Sequence, residues 1–498
     1  MKFYFVILLA LFALFGNAQH KTEYLSKKQI KGDLKYLDKI LQNQSSYQGL
    51  NGFNYQTAFN EYLNQTDGAK ITKSDFGLFL SGVIGKIGDR HSYIKGYDLP
   101  EALYFPFTFA PLKDKIVVIN YNKNTEGYEF WDAEFPYLKS INHISIEELR
   151  PKILPEEILA PQKSYTLQAV RELRDIETVF SKIDAELPNP LPITLVNENE
   201  TEKEVKVELV PKSEKAYLWD ERFGNRSFFW KEEDFNDLEN IKRFFSLDDN
   251  IAYIQIVEML SKYDSPAFFE YLNTFMKKAD QTDAMIIDVR NNGGGTRDLI
   301  EELAGYFVHP DSVYVVNATR QRGKLPLNNE LKEDLHSRYL FSKNELDSRE
   351  QKEVDKFMYS FKPMYDLDDK KYSNFHYYIL NSEKLTKNKY HYNKPIYILA
   401  NERTFSAASV LVSVFKGLPN IKIVGVNTDG SSGNSQRFEL PKSGFRGKIS
   451  TMVSFQKNGN ILDGIGTQPD IEIERNLDQI FFKEDFQLEK LKEIIKKD

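Results

Sequence analysis

The chain has 498 residues, of which 41% are hydrophobic and 28% charged, with no cysteine and a formal net charge of −7. That length exceeds a single core, so two or three domains are expected. The lack of cysteine excludes disulfides and thiolate metal sites, and the acidic balance argues against nucleic acid as the main partner.

Residues 1–18 read MKFYFVILLALFALFGNA, a lysine and an apolar run followed by small residues. This is the pattern of a secretory signal, too short for a comfortable membrane span. The mature chain is expected to begin near Gln19 as an exported protein, periplasmic or extracellular, without stable membrane insertion.

From Glu23 to about Gly88 the apolar spacing predicts helices, the last through Phe76, Phe79, Leu80, Val83, Ile84 and Ile87, stopped by Gly88. The turn GDRHSYI follows and carries His91. Alone, a histidine there is more often structural than catalytic. From Tyr104 to about Val210 short strands predominate, with FPFTFAPLKDKIVVINYN and ITLVNENETEKEVKVELV read as hairpins around the strand, turn and helix of LKSINHISIEELRPKI. The order resembles a PDZ-like α+β module, which would bind an extended peptide by strand addition.

From Ile251 the pattern becomes α/β. Strand IAYIQIV, helix PAFFEYLNTFMKKA and strand AMIIDVR lead into NNGGGT and a further helix. Three glycines between a buried strand and a helix let backbone approach a ligand closely. Their spacing matches neither GxxxxGK[ST] nor GxGxxG, so a second oxyanion donor is the better expectation. Residues 311–393 read as a polar, loop-like insertion beside the site, and His309, His336, His376 and His391 lack a metal-ligand spacing. IYILANERTFSAAS then delivers Ser406 to a helix start, where it is either an N-cap or a nucleophile whose oxyanion meets the N–H of Ala407. FRGKISTMVSFQKNG reads as a hairpin, LDGIGTQPD as a glycine-rich turn carrying Asp463, and the last residues as an amphipathic capping helix.

In order, AMIIDVRNNGGG, YILANERTFSAAS, IVGVNTDG and LDGIGTQPD resemble the serine peptidases that include the C-terminal processing proteases and the tricorn core protease. The resemblance spans about Ala252 to Glu474 and extends weakly to GDRHSYI. It implies an α/β fold with a Clp/crotonase-type catalytic core, preceded by an N-terminal helical segment and the PDZ-like module. The expected division is 1–18 signal, 19–98 helical segment, 99–213 module, 214–480 core and 481–498 terminal helix.

Processing proteases carry a lysine base in a TxGK turn; here Thr428, Asp429 and Gly430 lead to Ser431, so a Ser–Lys dyad is not expected. Tricorn-like members use a histidine from an N-terminal turn and an acid from an ExxGxxPD segment. By resemblance, Ser406 is the nucleophile, His91 the base and Asp463 its orienter, with oxyanion donors at Ala407 and at Gly293 or Gly294. Arg90 stands where tricorn-like enzymes have serine. A free-solution imidazole in this role implies activity rising through about pH 6 to 7. The substrate would be a peptide or unfolded protein, with no cofactor and no metal. The competing expectation is an inactive relative that binds peptides or apolar ligands in the same groove.

Overall fold

The computed structural model describes residues 23–497, apart from 67, 69, 99–101, 154–160, 184, 222, 224–233, 323–339, 388 and 432. The apolar leader at 1–18 lies outside the described residues. Among those described, no helix is long and apolar enough to cross a membrane.

A six-stranded sheet organises the C-terminal half, in the order Phe245–Asp248, Ile251–Gln255, Ala284–Asp288, Ile396–Ala400, Ile421–Gly425, Ile471–Glu472. The first pair is antiparallel and the others parallel. Alternation explains how it is covered. Met285, Ile287, Ile396 and Ile398 point into a core shared with helices Pro266–Ala279, Asp298–Phe307 and Ala407–Phe415. Ile286, Tyr397 and Leu399 point the other way, onto Leu491 and Ile494 of the terminal helix Phe486–Ile495. Strands buried on both faces read as the continuous apolar runs AMII and IYILA.

Before this sheet, strands Thr108–Leu112, Lys115–Asn122, Tyr137–Ile141, Leu191–Val196 and Glu202–Val207 form an antiparallel sheet in the order 202–207, 191–196, 137–141, 115–122, 108–112. Its apolar face packs on helices Ile146–Ile153, Gln162–Glu172 and Ile176–Lys182. The N-terminal helices Lys27–Gln44, Tyr55–Gln65 and Lys73–Ile87 share a separate core with Phe445, Ile449 and Phe455. Gly88 ends the last of them in the left-handed conformation, φ 91°, that glycine alone adopts without strain.

Two segments differ from their sequence reading. Residues 311–393 supply buried strand Val313–Gln321, centred in a four-stranded sheet between His376–Asn381 and Met452–Gln456. Its second half, NATRQ, reads as polar, yet all five residues are buried in the fold. Arg320, for example, donates to the carbonyls of Leu367 and Ser373 at 2.7 and 2.6 Å. FRGKISTMVSFQ is not a hairpin either. Arg446–Ser450 pairs with Ser435–Glu439 and Tyr93–Lys95, whereas Met452–Gln456 pairs with Val313–Gln321, so the chain changes sheets at Thr451. Alternation along one strand cannot show which neighbour the strand will choose.

Candidate active site

Strand Ile396–Ala400 ends in the turn NERTF, which is locked by buried amides. Thr404 Oγ1 donates to Val289 O, and Asn401 and Asn291 exchange bonds at 2.9 Å, tying this turn to the glycine loop after Ala284–Asp288. Phe405 N–H donates to Asn292 O at 2.9 Å. Ser406 is thereby held at φ 54°, ψ −125°, and its side chain makes no capping bond to the helix it opens. An N-cap has extended backbone and accepts from the first turn. Ser406 does neither; it occupies the strained strand-to-helix elbow that pushes a serine hydroxyl outward.

His91 Nε2 lies 3.1 Å from Ser406 Oγ, across 315 positions of sequence. The imidazole is buried and stacks on Phe405, centroids 4.8 Å apart. Its turn is fixed by Asp89, whose carboxylate accepts from the backbone N–H of His91 at 2.9 Å and from Ser92 Oγ. Burial raises the Asp89 carboxyl to about 6 despite those bonds. Burial also pushes His91 down to about 3, helped by the cations of Lys448 and Arg90. Burial thus holds the imidazole in its neutral form. Arg90 does not face the serine; it pairs with buried Asp429 at 2.7 Å and donates to the amide oxygen of Gln168 at 2.8 Å.

Asp463 is placed differently from expectation. Its Oδ2 accepts from the fully buried Tyr47 hydroxyl at 2.7 Å, and His91 Nδ1 has no hydrogen-bond partner among the described residues. The shorter aspartate sits on a turn packed backbone to backbone against the Thr428–Gly430 loop. A Cβ on Gly430 would lie 2.2 Å from Leu462 O, and one on Gly466 2.2 Å from Thr428 O. Asp470 has a structural task, accepting from Ile423 N–H at 2.8 Å.

The glycines divide by role. A Cβ on Gly294 would meet Ser406 Cβ at 2.5 Å, and one on Gly295 would meet Met259 O at 2.1 Å, both at positive φ. Gly294 N–H is committed to Asn292 Oδ1 at 2.8 Å, so this glycine is not the expected oxyanion donor. Gly293 is exposed, and a Cβ there would meet nothing within 4 Å. Beneath the loop, fully buried Arg290 joins Asp288 and Asp485, each at 2.7 Å, bringing the C-terminal segment under the glycines. Ser431 is buried where a lysine base would fall. Lys457, which burial lowers to about 8, binds Lys416 O at 2.7 Å, at the opposite end of the Ser406 helix. Tyr47, Phe405, Asp89 and Asn292 escaped the sequence reading. Asp89, Phe405 and Asn292 lie within motifs that could have pointed to them, whereas Tyr47 does not.

Residues 250–473 match the model described as Peptidase family S41. Among solved structures, the chain is similar to mature CPAF, with a TM-score of 0.63, 16% identity, and coverage of 95% of this chain and 98% of that one. It is likewise similar to mature CPAF complexed with lactacystin, with a TM-score of 0.61, 17% identity and coverage of 94% and 98%. At such identity the likeness is one of mixed α/β fold. A protein of Chlamydia muridarum, described as uncharacterized, is 29% identical over 84 residues. That match covers 16% of this chain and only 14% of the Chlamydia protein.

Proposed function

Because residues 250–473 match the model of Peptidase family S41, we propose that the chain is a serine peptidase that hydrolyses peptide bonds through an acyl-enzyme on Ser406, with His91 as general base. The observation that carries this reading is the 3.1 Å approach of His91 Nε2 to Ser406 Oγ. In the proposed first step, neutral His91 takes the hydroxyl proton as Ser406 Oγ attacks the carbonyl carbon. The imidazolium then gives that proton to the leaving amine. Water, deprotonated by the same imidazole, cleaves the acyl-enzyme.

The oxyanion is assigned to the N–H groups of Ala407, at the start of its helix, and Gly293. Two facts support Gly293. The neighbouring Gly294 N–H is already engaged, and the fold itself has no steric need of glycine at 293. Close approach of a substrate would supply that need. Asp463 is assigned an indirect part, as a carboxylate held by Tyr47 on the His91 side of the site.

The six-stranded sheet and its helices are read as the Clp/crotonase-type core, and the 99–213 module as PDZ-like, with the edge strand Glu202–Val207 open to an added peptide strand. The leader sequence supports export, to a periplasm or the medium. CPAF has been solved with lactacystin, which makes lactacystin a rational probe here. Lactacystin or a fluorophosphonate should label the wild type and leave Ser406→Ala unlabelled. Labelling that survives the substitution would place the nucleophile elsewhere. Tight peptide binding without labelling or turnover would favour an inactive binding relative.

A further inference from the structure

The three-stranded sheet of Ser435–Glu439, Arg446–Ser450 and Tyr93–Lys95 has two unlike faces. Residues in register across strands share a face, and successive residues alternate. Ile94, Gly447 and Phe438 form one row, joined by Ile449; these residues are buried or packed against the N-terminal helical core. The opposite face presents Arg437, Lys448 and Tyr93 in one row and Glu439, Arg446 and Lys95 in the next. All of these are exposed except Lys448, which is half-buried. Four cations thus stand against a single carboxylate, on a chain whose net charge is −7.

This face begins at the candidate active site. Tyr93 follows His91 by two residues, and Ser450 N–H donates to Ser92 Oγ at 3.0 Å, anchoring the sheet to the His91 turn. The Lys448 cation is close enough to act on the His91 imidazole. The rows lie about 7 Å apart along the strands, so the cations extend outward from the site over the length of a short extended peptide.

We propose that this face docks an acidic segment of the polypeptide substrate, a run of Asp and Glu flanking the bond presented to Ser406. The proposal rests on the peptidase reading, because the occupant is taken to be continuous with the chain being cut. Charge complementarity selects its chemistry. A cationic face beside the site raises the local concentration of acidic chains and disfavours basic ones. Lys448 is the member nearest the chemistry, and Lys95 and Arg446 are further along the strands.

The test uses two labelled peptides with one common core, one extended by Asp and Glu and the other by Asn and Gln. Binding is measured by fluorescence anisotropy on the full chain carrying Ser406→Ala, so that no turnover is needed. The acidic peptide should bind more tightly, and the advantage should shrink with added salt. Combining Lys95→Gln, Arg437→Gln and Arg446→Gln, none of which touches the Ser–His pair, should weaken it by about tenfold and leave the neutral peptide unchanged. Equal binding of the two peptides, or an acidic preference that survives the triple substitution, overturns the proposal. So does a single-stranded oligonucleotide that competes better than the acidic peptide, which would indicate nucleic acid instead. Absence of cleavage by the wild type would defeat the peptidase reading, whereas the docking preference is scored on the Ser406→Ala chain alone.

Discussion

The two halves of the Ser406–His91 pair are built in opposite ways. Ser406 stands at the end of a parallel strand, on a turn whose partners come from the next strand of the same sheet, and it lies inside the 250–473 family match. His91 lies outside that match, on a turn between the N-terminal helices and a short strand. It is held by Asp89, by the Phe405 ring and by a neighbouring sheet. The strained backbone of Ser406 persists because the turn around it over-determines its conformation. A base needs only a ring delivered to one point, and separate, less regular segments can do that.

Breaking the base half should have the largest effect among substitutions outside the nucleophile. His91→Gln should lower kcat by about a thousandfold, within the range for loss of a general base, while circular dichroism stays unchanged. A loss under tenfold would remove His91 from the chemistry. On the other half, Gly294→Ala forces a Cβ to 2.5 Å from Ser406 Cβ at a backbone φ of 98°. It should cost on the order of a hundredfold in kcat/KM through misplacement of the serine. Near-normal rates for this variant would show that the glycine loop yields easily.

The pH profile sharpens the contrast, because only the histidine half titrates. With His91 held near 3, the imidazole itself should add no fall in kcat/KM from neutrality down to about pH 5, and a step near 6 would report the Asp89 carboxyl that fixes its turn. Linkage acts on stability in the same interval. A buried histidine whose pKa is depressed from 6.5 stabilises the fold above that value and loses its contribution as pH falls toward 3. Acid melting curves should show that slope in the wild type and less of it in His91→Gln. A titration of kcat/KM centred near 6.5 that persists in Asp89→Asn would mean that the imidazole is far better hydrated than its burial indicates. The smallest effect is expected at Tyr47→Phe, which removes one hydrogen bond to Asp463. A kcat loss of only a few-fold should accompany about 2 kcal/mol of destabilisation in urea. A thousandfold loss would make the tyrosine a participant.

The parallel strands were legible in the sequence because burial on both faces writes continuous apolar runs, and motif order named both residues that the structure places 3.1 Å apart. What stayed hidden has a common cause. The partner of Asp463 comes from Tyr47, 416 positions away, and nothing near LDGIGTQPD indicates it. The commitment of Gly294 N–H depends on the direction of one peptide plane, which three identical letters cannot encode. Strand Val313–Gln321 looked like a loop because its arginine, asparagine and threonine are polar, yet they lie inside. The low pKa of His91 follows from burial, which a motif does not record.

The left-handed backbone at Ser406 also bears on how such a chain can change over time. A non-glycine residue in that conformation costs roughly 1–3 kcal/mol, a sizeable share of the roughly 5–15 kcal/mol that separates a folded domain from its unfolded chain. The cost is present in every molecule, whether or not a substrate ever arrives. Under the proposed function, a lineage that ceased to need catalysis would gain stability by exchanging this serine for glycine.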